Sequence, residues 1–193
     1  MFRNTLKQEI FTIPNLLSLF RLVLIPVYMV VYLNAREPWQ YYIAGGILAV
    51  SCLTDAIDGK IARHFDMIST VGKILDPLAD KITQFTLTLC LSLKYPVLQP
   101  VLCLFVVKEL FQLIVGFINF RKGKMLPGAL LAGKICTTVL FFSLIVLVLF
   151  PGISRNVIYT FAVIDSVFLA ISFVSYIFAY FGKNIKVQDM DNK

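Results

Sequence analysis

The sequence predicts an all-α, polytopic membrane protein of six transmembrane helices preceded by a short interfacial helix. Three observations carry this. Hydrophobic residues make up 59% of the 193, more than a water-soluble chain of this size accommodates. They gather in six runs of about 20 residues, the length that crosses a hydrocarbon core of ~30 Å. The 18 Lys and Arg collect at the ends of these runs, where membrane proteins place them.

At this length the chain reads as a single membrane domain, 1–193, with an interfacial helix at 1–12, a bundle at about 14–181 and a polar tail at 182–193. Residues 1–12 mix Phe2, Leu6, Ile10 and Phe11 with Arg3, Lys7 and Glu9, which suits a helix lying in the interface. No small-residue cleavage site follows, so the segment does not read as a cleaved signal peptide. The first span, 14–33, contains Arg21 and Pro26. An Arg two turns into an apolar helix either snorkels to the surface or meets a phosphate.

After a turn at 34–38, Trp39, Tyr41 and Tyr42 form an interfacial aromatic belt and open the second span, about 39–62. The third runs from about 69 to 93 with Pro77 near its start, where a kink is tolerated if the freed carbonyl finds protein, water or ligand. A turn at 94–100 leads to the fourth, ending near 120, followed by the basic cluster Arg121, Lys122 and Lys124. Residues 130–150 and 157–181 form the fifth and sixth spans.

Six spans put both termini on one side. That side receives the N-terminal arm, the loop after Arg63, the cluster at Arg121 and the tail, whereas the other receives only Arg36, Lys94 and Arg155. The first is therefore cytoplasmic. The net charge of +7 is spread over helix ends and suits an anionic lipid surface, not nucleic acid. Cys52, Cys90, Cys103 and Cys136 lie singly in apolar runs, which implies neither a disulfide framework nor a zinc site.

Residues 55–81 depart from this pattern. Asp55 and Asp58, with Gly59 and Ala62, share one helical face at the end of the second span; Gly72, Asp76 and Asp80 repeat every four residues at the start of the third. Ionisable groups at membrane depth mark a functional site. Four carboxylates around one point require cations, and oxygen ligands select Mg²⁺, Mn²⁺ or Ca²⁺ over zinc.

Read together, the stretch is D-x2-D-G-x2-A-R-x8-G-x3-D-x3-D, filled by Asp55, Asp58, Gly59, Ala62, Arg63, Gly72, Asp76 and Asp80. It resembles the signature of the CDP-alcohol phosphatidyltransferases, six-helix membrane enzymes with a cytoplasm-facing dinuclear metal site. IPNLLSLFR at 13–21, LDPLADK at 75–81 and GKICT at 133–137 are similar to segments of the bacterial phosphatidylglycerophosphate synthases. The resemblance implies two divalent cations, Mg²⁺ or Mn²⁺, with Asp55 and Asp76 bridging both, Asp58 completing one site and Asp80 the other. It also implies that Asp80 is the general base, that Gly59, Ala62, Arg63, Ser69 and Gly72 bind the CDP-lipid, and that Pro14 and Asn15 contact the nucleotide. A homodimer in a bacterial cell membrane, with the active site and both termini cytoplasmic, is implied as well.

The activity so implied is transfer of a phosphatidyl group from CDP-diacylglycerol to glycerol 3-phosphate, with CMP-forming cardiolipin synthesis from phosphatidylglycerol as the alternative. One departure bears on that choice. Where the synthases usually carry an Arg-Glu pair and a second Arg eight residues on, this chain has Lys108, Glu109 and Gly116. Losing a bidentate guanidinium weakens phosphate recognition, so the candidates for the acceptor phosphate are Lys108 with Arg121, Lys124 or Lys134 in place of the missing Arg.

Plainer readings compete. The carboxylates could pair with Lys60, Arg63, Lys73 and Lys81 as a structural ion network, and Gly59 and Gly72 could serve helix packing. His64 reads as a solvated interfacial residue, and Asp165 has no spaced partner. A divalent-cation transporter would also line a site with carboxylates, though usually in both halves of the chain.

Overall fold

The computed structural model describes residues 13–64, 72–121, 124–125, 130–181 and 188–189. The expected interfacial helix, Ser69 at the expected start of the third span and most of the tail lie outside these. The described residues form six long helices: α1 Ile13–Asn34, α2 Pro38–His64, α3 Gly72–Lys94, α4 Gln99–Arg121, α5 Leu131–Leu149 and α6 Arg155–Phe181. A single 3₁₀ turn at Pro96–Leu98 precedes α4. Among the described residues a two-residue antiparallel pairing of Lys124–Met125 with Gln188–Asp189 is also present, a minor addition to an all-α fold.

Among the described residues, four segments are long and apolar enough to cross a membrane: Asn15–Asn34, Pro96–Asn119, Leu131–Leu149 and Arg155–Phe181. The protein is therefore a polytopic membrane protein. Its apolar side chains face outward, as with Val23, Leu113, Phe142 and Phe178, each more than 60% exposed. Such a surface is stable only against hydrocarbon. The two remaining helices, α2 and α3, carry the carboxylates.

The chain divides into two compact units. In the first, Met1–Cys90 with Val148–Pro151, α1 packs along α2. Asn34 Nδ2 donates to Val30 O at 2.8 Å, satisfying a carbonyl of the last turn of α1. Gln40 Oε1 then accepts from the backbone N–H groups of Arg36 at 2.6 Å and Glu37 at 3.0 Å. This is half of a capping box, with Pro38 favoured at the first helical position. Trp39 and Tyr42 are exposed, whereas Tyr41 is half-buried. Its hydroxyl donates to Ala35 O at 2.8 Å and its ring meets Tyr32 edge-on. Helix α3 runs through Pro77.

The second unit, Leu91–Leu147 with Gly152–Lys193, is built on α4, α5 and α6. Phe111 meets Phe173 edge-on at 5.2 Å, pairing α4 with α6. A Cβ on Gly133 would lie 2.5 Å from the Tyr176 hydroxyl, so α5 approaches α6 as closely as a glycine permits. Asp165, without a partner in the sequence reading, accepts a hydrogen bond from Ser143 Oγ at 2.8 Å, both residues buried. Polar groups paired across helices in this way are the glue of membrane bundles.

Candidate functional site

Two of the four signature carboxylates are held by the first helix. Asp76 and Asp80, one turn apart on α3, face Ser18 and Arg21, three residues apart on α1. Ser18 Oγ donates to Asp76 Oδ1, and Arg21 Nη1 donates to Asp80 Oδ1 at 2.6 Å. Spacings of three and four both return to the same helical face, so two contacts of matched rise lock the helices in register.

The burial is uneven. Asn15, Ser18 and Arg21 form a stripe at most 2% exposed along α1. The Arg21 side chain is 3% exposed, yet its partner Asp80 is 53% exposed. A buried guanidinium requires an anion, and Asp80 supplies it while keeping much of its surface accessible. Arg21 thus does not snorkel to the surface, the first of the two outcomes its position suggested. One turn further along the helices, the packing of Ile25, Tyr28, Leu48, Ser51 and Thr83 leaves a cavity of only about 10 Å³, room for about one water.

Asp55, Asp58, Gly59, Ala62 and Arg63 occupy the last turns of α2, but their side chains, and those of Pro14 and Lys124, lie outside the described structure. Gly72 begins α3 and is buried; Asn15 is 1% exposed. Among the described residues no three Asp, Glu, His or Cys side chains gather as a metal site, since two of the four expected ligands are not among them. The donors that are described fit a hard divalent cation. Asp76 and Asp80 offer carboxylate oxygen alone, fixed in orientation by their partners on α1, with Asp80 accessible.

The acceptor candidates fall in the second unit. Lys108 is 2% exposed, pairs with Glu109 at 2.7 Å and lies 6.0 Å over the Tyr176 ring. Arg121 is exposed in the last turn of α4, 5.9 Å from the Phe117 ring. Thirteen residues of helix separate them, about 20 Å along the axis, too far for both to grip one small phosphate. Lys134 is exposed in the first turn of α5. A Cβ on Gly116 would lie 3.4 Å from the Tyr180 hydroxyl.

Ser18 is the site residue that sequence reasoning missed. Its signal was present as polar residues at Asn15, Ser18 and Arg21, every third position of an otherwise apolar helix.

The profile of the CDP-alcohol phosphatidyltransferase family matches residues 11–178. The chain is 34% identical over 134 residues to a CDP-diacylglycerol–glycerol-3-phosphate 3-phosphatidyltransferase of Aquifex aeolicus, covering 69% of this chain and 73% of that protein. It is 31% identical over 154 residues to a CMP-forming cardiolipin synthase of Streptomyces coelicolor, covering 75% and 68% respectively. A cardiolipin synthase–mitochondrial hydrolase fusion protein of Schizosaccharomyces pombe is 34% identical over 128 residues. That match takes in 65% of this chain but spans only 20% of the fusion protein.

Proposed function

The chain belongs to the CDP-alcohol phosphatidyltransferase family, and on that premise we propose that it transfers a phosphatidyl group from CDP-diacylglycerol to glycerol 3-phosphate, giving phosphatidylglycerophosphate and CMP. The observation that carries this reading is the presentation of Asp76 and Asp80 on one face of α3, anchored from behind by a buried stripe of α1. In the reaction the acceptor hydroxyl oxygen attacks the phosphorus of the phosphatidyl group. The bond from that phosphorus to the bridging oxygen breaks and CMP leaves. The acceptor proton passes to the carboxylate of Asp80, a role within reach of a positioned general base.

Two divalent cations, Mg²⁺ or Mn²⁺, held by Asp55, Asp58, Asp76 and Asp80, would neutralise the diphosphate and stabilise its leaving oxygen. Gly59, Ala62 and Gly72 leave the helix backbones approachable by the nucleotide, with Pro14, Asn15, Arg63 and Ser69 as further contacts. Helices α2 and α3, at 27 and 23 residues, are about 40 and about 34 Å long. Both therefore have the length to join the four apolar helices as spans. The excess of Lys and Arg sets the termini and the carboxylates on the cytoplasmic side, and the enzyme works as a homodimer.

Glycerol 3-phosphate is favoured by the Aquifex relative. A second acceptor, phosphatidylglycerol, is favoured by the Streptomyces relative and by Gly116 standing where an acceptor-binding Arg is usual. If glycerol 3-phosphate is the acceptor, Lys134 with Arg121 or Lys124 holds its phosphate, since Lys108 is engaged by Glu109. Purified protein in detergent, given CDP-diacylglycerol and each acceptor in turn, decides between them by the mass of the lipid formed. Phosphatidylglycerophosphate supports the first reading and cardiolipin the second.

A further inference from the structure

We propose that Ser18 and Arg21 are positioning residues of the metal-binding carboxylates, acting through Asp76 and Asp80 rather than on substrate. This rests on the reading of the site given above. The two contacts are independent in chemistry and matched in geometry. One is a hydroxyl donor with no exposed surface and the other a buried guanidinium, and each engages one oxygen of a different carboxylate.

A carboxylate on a helix rotates about two side-chain bonds, and a cation bound to two of them needs both rotations stopped at once. Ser18 stops one and Arg21 the other. Because Ser18 and Arg21 sit on a single turn of α1, they cannot move independently. The relative orientation of Asp76 and Asp80 is thereby tied to the register of α1 against α3. Carboxylates that ligate metals are commonly fixed in this way by outer hydrogen-bond donors, whose removal costs about 10–100-fold in metal affinity or activity.

Arginine is the appropriate donor at this depth. Its planar fork keeps orientation when buried, whereas an ammonium is a point charge that rotates freely. The same buried position separates Arg21 from a mere counter-ion. A counter-ion competes with an incoming cation for Asp80, so its removal tightens cation binding; a positioning residue does the opposite. The sign of the change therefore distinguishes the two roles.

The test uses full-length protein in detergent and Mn²⁺ as the probe, with free Mn²⁺ read by electron paramagnetic resonance during titration. Ser18→Ala and Arg21→Gln are each expected to weaken Mn²⁺ binding about 10–100-fold. Each should lower kcat for CMP release while leaving the KM for CDP-diacylglycerol within about twofold, a split expected when a group acts through the reacting centre. Arg21→Lys should fall between Arg21→Gln and wild type. Should Arg21→Gln fail to fold, as judged by gel filtration, Ser18→Ala and Arg21→Lys carry the test.

Wild-type Mn²⁺ affinity in Ser18→Ala with either Arg21 variant, or tighter binding once the guanidinium is gone, overturns the positioning role while leaving the proposed function standing. A wild-type protein that binds no Mn²⁺ and releases no CMP overturns both.

Discussion

Replacing Asp80 by Asn should separate its chemical role from its structural one, because the structure sets very different magnitudes for the two. Asp80 is the anion for a guanidinium that is 3% exposed, while Asp80 itself is 53% exposed. The pair lies between an exposed ion pair, worth ~0–1 kcal/mol, and a buried one whose breakage costs ~3–5 kcal/mol, so Asp80→Ala should destabilise the protein by about 2–3 kcal/mol. Asp80→Asn keeps an oxygen where Arg21 Nη1 now donates at 2.6 Å, and should cost only about 1 kcal/mol. Turnover should respond far more strongly. Loss of a general base lowers rate by about 10²–10⁴-fold, equivalent to about 3–5 kcal/mol of barrier. The assay compares CMP release, CDP-diacylglycerol binding and thermal unfolding in one detergent. Substrate binding should persist in Asp80→Asn while turnover collapses. Binding and turnover falling in proportion would refute the base role and leave Asp80 a ligand alone.

Excess EDTA should abolish CMP release, and Asp55→Ala or Asp76→Ala should do so with the helical circular dichroism preserved; full activity in the chelator would contradict the dinuclear reading. Lys134→Ala should raise the KM for glycerol 3-phosphate about tenfold or more, as loss of a charge-assisted contact of ~1.5–3 kcal/mol implies, and leave the KM for CDP-diacylglycerol nearly unchanged. Equal changes in both would remove Lys134 from the acceptor site. Gly133→Ala should destabilise the protein by about 1–3 kcal/mol through overpacking, since its Cβ would stand 2.5 Å from the Tyr176 hydroxyl, and adding Tyr176→Phe should recover part of that loss.

Much of the architecture was legible because it is written locally. Hydrophobic runs punctuated by Pro, Asn and charged residues place the helices to within a few positions. The second, expected at about 39–62, is Pro38–His64, and the fifth, expected at 130–150, is Leu131–Leu149. The carboxylate signature was legible for the same reason, since helical spacing needs only neighbours three and four residues away.

What escaped depends on partners far along the chain. The anion for Arg21 lies 59 residues away, and no periodicity within α1 names it. Ser143 comes 22 residues before Asp165, so that carboxylate stood alone until the helices were packed. Tyr41 looked like its aromatic neighbours by composition, and only the turn geometry reveals the carbonyl that draws it inward. Charged residues lower the hydropathy of α2 and α3, which are not among the four apolar segments.

The most direct test of the account is product analysis with intact protein. Wild-type enzyme in detergent with Mg²⁺, CDP-diacylglycerol and glycerol 3-phosphate should yield CMP and phosphatidylglycerophosphate in equal amounts by mass spectrometry, with neither formed by Asp76→Ala. Release of CMP at the wild-type rate from Asp76→Ala would contradict the claim that the carboxylates facing α1 carry the transfer.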